Sequence, residues 1–198
     1  MLTGLQNVTF YYKENLVLKN FTFYLPPKGC ICLYGKSGCG KTTILRLLAN
    51  LETPLYGQRI GLNDKTIGMV FQEDRLLSWL SLQDNLSLFA PACNIPELLH
   101  IVGLDNLDIY PSEMSGGMKR RLAIARAISI DPDLLILDEP FTGIDQQSVK
   151  HISKYLVELS KKKQIVLVTH INNEAKYMNA TKFILSDLPL TGSWDFSK

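Results

Sequence analysis

Apolar positions change their spacing several times along the chain. Residues 5–12 and 18–25 mix β-branched and aromatic side chains with polar ones in loose alternation, and 30–34 is a short apolar run, so strands are expected at all three. Pro26-Pro27-Lys28-Gly29 marks the turn between the last two. After Gly40 the spacing becomes helical, with Ile44, Leu45, Leu47 and Leu48 three and four apart, and 67–71 returns to strand. From Ser81 to about Met114 the pattern is that of a small helical insert. Ser81 with Asp84 resembles a capping box, Pro91 interrupts a first helix, Pro96 suits the first turn of a second, and Gly103 is a stop. A longer helix is expected over 115–129. Strand 134–137, helix 146–162 and strand 165–169 then alternate in the manner of parallel α/β construction. The tail after Asp187 has no clear pattern.

Length and composition narrow the class. At 198 residues, 46% hydrophobic and 20% charged, the chain is a folded protein with room for one domain, 1–198. Its net charge of +2 lacks the basic footprint of a nucleic-acid binder, so no nucleic-acid partner is expected. No run approaches the roughly 18 apolar residues that span a bilayer, and the first residues form no secretory signal, so any membrane contact is expected through a partner. The cysteines at 30, 32, 39 and 93 show no zinc spacing, and Cys30 and Cys32 alternate along an apolar strand as buried thiols do. A reducing cytoplasm is the natural setting.

Gly35-Lys36-Ser37-Gly38-Cys39-Gly40-Lys41-Thr42 matches G-x-x-x-x-G-K-[ST] at every fixed position, after an apolar strand and before a helical pattern. Small residues let the backbone curl so that successive N–H groups point at phosphate oxygens, and the following helix adds its positive end. Lys41 supplies a charge for the β- and γ-phosphates, and the Thr42 hydroxyl is a Mg²⁺ ligand. With Thr43, residues 35–43 form the expected nucleoside triphosphate site. A glycine-rich surface turn is the bland alternative.

Leu134-Leu135-Ile136-Leu137-Asp138-Glu139 reads as a buried strand ending in two acids. Where the chain leaves the strand both acids reach one site: Asp138 is placed to hold Mg²⁺ and Glu139 to polarise an attacking water. Solubilising charge is the alternative for the pair on its own.

Ser115-Gly116-Gly117-Met118-Lys119-Arg120-Arg121 opens a helix upstream of those acids. Together with the phosphate loop it resembles the signature of the ATP-binding-cassette (ABC) ATPases. That resemblance implies a RecA-like P-loop NTPase core of α/β class with an N-terminal antiparallel β-subdomain and a small helical subdomain, here about 78–114. Residue by residue it implies that Gln72 is the glutamine-loop residue touching Mg²⁺ and the lytic water. Asp145, in Gly143-Ile144-Asp145, is then the D-loop, His170 the switch histidine, and Tyr12 (or Tyr11) the residue stacking on adenine. Lys41, Gln72, Glu139 and His170 form the implied catalytic set. Ser115 can cap a helix whose Gly116 and Gly117 N–H groups are free, which makes a second anion site; by resemblance it faces ATP bound by a second subunit, so hydrolysis requires a head-to-tail homodimer. The cations Lys119, Arg120 and Arg121 are expected mostly on a solvated face.

Phe71-Gln72-Glu73-Asp74-Arg75-Leu76-Leu77-Ser78-Trp79 together with Ser-Gly-Gly-Met-Lys-Arg-Arg resembles the nitrate/sulfonate/taurine group of bacterial importers. These are ATPase subunits on the cytoplasmic face of the membrane that dock on integral permease subunits fed by a solute-binding protein. By that likeness, Leu76, Leu77, Trp79 and Leu80 form a patch for the permease, or else core of the helical insert. Departures bear on the subgroup: 43 positions from Gln72 to Ser115 make a short insert, Ile171 stands where importers commonly have Asp, and no regulatory domain follows. An exporter or lipid-release ATPase, or a soluble non-transport ABC protein, is the alternative.

Overall fold

The computed structural model describes residues 2–90, 93–186 and 188–197. The interruption expected at Pro91 therefore lies outside the described residues. Nine strands among the described residues build two sheets. β1 (Thr3–Tyr12), β2 (Asn15–Leu25), β4 (Tyr56–Ile60) and β9 (Leu190–Asp195) form one, in the order β4-β1-β2-β9. β5 (Ile67–Val70), β6 (Leu134–Asp138), β7 (Gln164–Val168), β3 (Gly29–Tyr34) and β8 (Thr181–Ile184) form the other, in that spatial order and parallel throughout.

The parallel sheet explains the apolar runs. Its central strands are covered on both faces, so both alternating sets must be apolar. Leu135, Leu137, Ile165 and Leu167 face one core, with helices α4 (Gly116–Ser129) and α5 (Gln146–Ser160). Leu134, Ile136, Val166 and Val168 face the other, with α1 (Lys41–Leu48) and the aromatic side of β1 and β2. Fully burying each of these side chains contributes about 2 kcal/mol, the scale of one hydrophobic side chain removed from water.

In the first sheet β1 pairs antiparallel with β2, as expected, and two strands are additions: β4 pairs antiparallel with β1, and β9, from the tail, runs parallel to β2. It leaves the edge of the parallel sheet and buries Leu190 against the second core, with Trp194 packing on Phe21 and Phe183. The helical insert holds α2 (Leu82–Ser87) and α3 (Ile95–Val102), then a turn of 3₁₀-helix at Pro111–Glu113. Ser81 caps α2 by accepting the Asp84 N–H at 3.1 Å, Pro96 lies in the first turn of α3, and Gly103 ends it at φ 67°. A short α6 (Asn172–Tyr177) links β7 to β8.

One expectation fails on α4. The run Lys119-Arg120-Arg121 is not a solvated face: Arg120 is 3% exposed, and Arg121 donates to the Val102 and Gly103 carbonyls at the end of α3. The helix is wedged between the insert and the parallel sheet, so cations on both flanks meet free carbonyls of neighbouring segments rather than water.

Candidate nucleotide site

Spatial order in the parallel sheet assembles the site. Neighbouring strands lie about 4.8 Å apart and point the same way, so whatever follows their carboxyl ends falls along one edge. Gln72 follows β5, Asp138 and Glu139 end β6, His170 follows β7, and the 35–42 loop follows β3. A cleft of about 430 Å³ opens there, lined by Lys41, Thr42, Gln72, Asp138, Glu139 and His170. The loop residues Gly35, Ser37, Gly38, Gly40 and Thr43 form its floor, and Tyr12 stands at its mouth, 55% exposed. Tyr11 is not among the lining residues.

The loop has the backbone that phosphate binding needs. Gly38 and Gly40 take φ of 80° and 90°, where a Cβ would be strained. Gly40 also begins α1 with no side-chain cap, leaving the first N–H groups of the helix without internal partners. Lys41 arches back over the loop, its Nζ donating to the Gly35 carbonyl at 2.8 Å and the Lys36 carbonyl at 2.7 Å. Lys36 and Cys39 belong to the loop but not to the cleft lining: Lys36 is exposed, while the Cys39 thiol is buried in the core beneath.

At the opposite wall the Thr42 hydroxyl donates to Asp138 Oδ2 at 3.1 Å. Burial pushes the Asp138 carboxyl above the usual carboxylate range, and the Thr42 bond partly opposes that. Glu139 adopts the left-handed backbone region at φ 48°, a strained conformation for a non-glycine residue. Its N–H donates to the Val168 carbonyl at 2.9 Å, tying the turn to the next strand, and its Oε1 lies 3.4 Å from His170 Nδ1. Below His170, the Thr169 hydroxyl donates to Glu174 and accepts the Ile171 N–H at 3.0 Å, which shapes the turn that presents the imidazole. Glu174 is itself held above the ordinary carboxylate range, mainly by burial.

The signature residues are not brought into this cleft. Ser115 caps α4 by accepting the Met118 N–H at 3.2 Å, and Ser115 and Gly116 are exposed away from the phosphate loop. A Cβ on Gly117 would come within 2.7 Å of the Gly143 carbonyl, whereas one on Gly116 would meet nothing. Asp145 caps α5 by accepting the Ser148 N–H at 2.9 Å, and hydrogen bonding from the Ser148 side chain, then from that N–H, draws its carboxyl below the usual range. Four lining residues escaped sequence reasoning: Asn15 and Val17 at the start of β2, Val168 at the end of β7, and Leu188 in the tail. None carries a motif, and only the return of β9 beside β2 places Leu188 there.

A phosphate loop, a strand-end acid pair and a separate signature helix on this two-sheet framework define an ATP-binding cassette. Residues 18–142 match the family described as ABC transporter, and the chain belongs to that family. It is 36% identical over 193 residues to the aliphatic sulfonates import ATP-binding protein SsuB of Bacillus subtilis, covering 89% of this chain and 75% of that one. It is also 36% identical over 209 residues to the nitrate import ATP-binding protein NrtD of Synechocystis, covering 96% and 79%. Among solved structures, a dimeric post-hydrolysis state of the ATP-binding cassette MJ0796 bound to ADP and Pi superposes with a TM-score of 0.80 at 27% identity, covering 94% and 95%. The chain is thus an ATP-binding, ATP-hydrolysing subunit of the ABC transporter type.

Proposed function

We propose that two copies of this chain, each a single domain over 1–198 with its helical part near 78–114, close head-to-tail on ATP and Mg²⁺ and so drive import of a small anion. The observation that carries the reading is the division of the site. One chain gathers Lys41, Thr42, Gln72, Asp138, Glu139 and His170 in a cleft, while the α4 N-terminus, a second anion-binding end, faces solvent elsewhere. Each cleft therefore needs the signature of another copy. The dimeric form of the similar MJ0796 cassette supports this, and the names of the sulfonate and nitrate relatives support an importer of small anions.

Within the cleft, Lys41 and the free N–H groups of α1 hold the β- and γ-phosphates, and Tyr12 stacks on the base. Thr42 and Asp138 present hard oxygen donors 3.1 Å apart, the chemistry that suits Mg²⁺, with Gln72 nearby and phosphate and water oxygens completing the shell. When bound, the ion neutralises developing phosphate charge. Glu139 accepts the proton of the attacking water, and His170, beside its carboxylate, orients that water and the γ-phosphate.

The permease reading has its own support. No helix among the described residues is long and apolar enough to cross a membrane; the names of the import ATP-binding relatives support membrane-spanning partners, with this chain peripheral on the cytoplasmic face. A groove of about 380 Å³ runs between the end of α1, β5 and α4, lined by Leu51, Met69, Phe71, Leu77, Phe89 and Arg126. Leu77 lies in it, and Trp79 stands 71% exposed, whereas Leu76 packs on the insert's core. Buried Asn85 fixes this loop, donating to the Leu77, Leu80 and Ser81 carbonyls at 3.0–3.1 Å. A short amphipathic helix of a permease, itself fed by a solute-binding protein, fits such a groove.

Glu139→Gln tests the division of labour. With ATP and Mg²⁺ it is expected to elute as a dimer in size-exclusion chromatography while hydrolysis falls about a hundredfold, the scale of a lost general base. A monomer at every ATP concentration, with the variant folded, would overturn the reading.

A further inference from the structure

Arg120 is the most deeply buried cation near the site, and none of the roles described above uses it. A buried guanidinium is costly unless its donors are satisfied, and here they are. Nε donates to the Pro140 carbonyl at 3.2 Å, and Nη2 to the Asp138 carbonyl at 2.8 Å and to that of Glu139. Nη1 donates to the Phe71 carbonyl, to that of Gln72 at 3.2 Å and to Asp74 Oδ1 at 3.2 Å. Its partners thus fall in two groups: the segment that follows β5 and the segment that ends β6. Those carbonyls lie where the strand ladders stop, and Arg120 supplies the donors that the sheet no longer offers.

The two groups are the backbones of the proposed water-positioning glutamine and of the proposed general base. The guanidinium is planar and presents its N–H groups in a fixed fork, so it sets one segment relative to the other. It also holds the carbonyl of Glu139 at the strained φ of 48°. Arg120 is rooted on α4 one turn beyond Gly116, so movement of the signature end reaches both segments through one side chain.

We propose that Arg120 is a positioning residue for hydrolysis: it clamps the Gln72 and Glu139 segments in one register and ties that register to the helix opened by Ser115-Gly116-Gly117. This rests on the reading that Gln72 and Glu139 act on ATP, and Glu139→Gln serves as the control for that reading. Lysine keeps the charge but replaces the fork with a point donor, so Arg120→Lys separates geometry from charge. Steady-state ATPase kinetics of the purified chain should show kcat lowered about tenfold with KM within about twofold, the signature of a loss confined to the transition state. In the double variant with Gln72→Ala the two losses should fail to multiply, because both act through one loop.

Arg120→Gln decides the matter if the lysine variant does not fold, since it buries no charge and still donates to two carbonyls. It is expected to fold and to lose about threefold in kcat at unchanged KM. Wild-type kcat in whichever variant folds, a loss confined to KM, or losses that multiply with Gln72→Ala would overturn the proposal. If those results occur while Glu139→Gln is inactive, the clamp alone is wrong. If Glu139→Gln hydrolyses ATP at the wild-type rate, the reading of the site fails and takes the clamp with it.

Discussion

The first turns of α1 and α4 are both anion-seeking ends, and they are finished in opposite ways. α1 begins at Gly40, with φ 90°, no side-chain cap and a lysine as its first residue. Its first N–H groups have no partners within the helix, and the surrounding strand ends supply a cleft lined by Asp138 and Glu139. α4 begins at Ser115, whose hydroxyl already takes the Met118 N–H; Gly116 after it is exposed and Gly117 half-buried against the Gly143 carbonyl, and neither lines the cleft. One end is a site lacking a lid, the other a lid lacking a site. The proposed completion by a second copy would join these two ends.

The contrast can be broken most severely at Lys41. Among the described residues its ammonium is the only Lys or Arg charge lining the cleft, and two loop carbonyls hold it in place at 2.8 and 2.7 Å. Lys41→Ala should lower ATP hydrolysis about a hundredfold or more, the scale of a lost phosphate clamp, and weaken ATP binding measured by calorimetry. Because the side chain sits at the surface of the loop, the melting midpoint should change little. Tight ATP binding by this variant would mean that the α1 end is not where the phosphates sit.

The same question put to α4 should give a milder and differently shaped answer. A Cβ on Gly116 meets nothing in this chain, and an acid at the first helical position favours the helix dipole. Gly116→Asp should therefore keep its stability and its ATP affinity as a monomer. Facing the phosphates of another copy, the added charge should still lower hydrolysis about tenfold, as expected for like charges brought close in a low-dielectric interface. Unchanged hydrolysis would remove α4 from the composite site.

How much of this could be read from the sequence depends on how local each feature is. The 35–42 loop, the strand ending at Asp138 and the caps at Ser81 and Ser115 are contiguous and carry their own chemistry, so they were legible. β4, β8 and β9 are short edge strands with many exposed positions, and their apolar pattern is too thin to stand out. Arg120 was misread for a different reason. Its partners stand 46–49 residues before it and 18–20 after it, so no local window separates it from the cations on either side. Leu188 entered the cleft by the same kind of long-range return. The signature glycines show the converse case, since their meaning comes from family resemblance and neither lines this chain's own cleft.

The smallest expected effect probes what the Ser115 hydroxyl does in the free subunit. A hydroxyl has one proton to give and lone pairs to receive with, and among the described residues only the receiving side is engaged, by the Met118 N–H at 3.2 Å. The cap and a bond to a phosphate oxygen are therefore compatible in one atom. Ser115→Ala removes both, and the lost cap should cost about 1 kcal/mol, lowering the melting midpoint by about 3 °C in a domain of this size. Ser115→Thr retains both functions and should restore the midpoint and most of the hydrolysis rate. If alanine leaves the midpoint unchanged, water replaces the cap at no cost, and any loss of hydrolysis belongs to the phosphate bond alone. If it lowers the midpoint but leaves hydrolysis intact, Ser115 only finishes a helix, and the α4 end binds its anion through the N–H groups of Gly116 and Gly117.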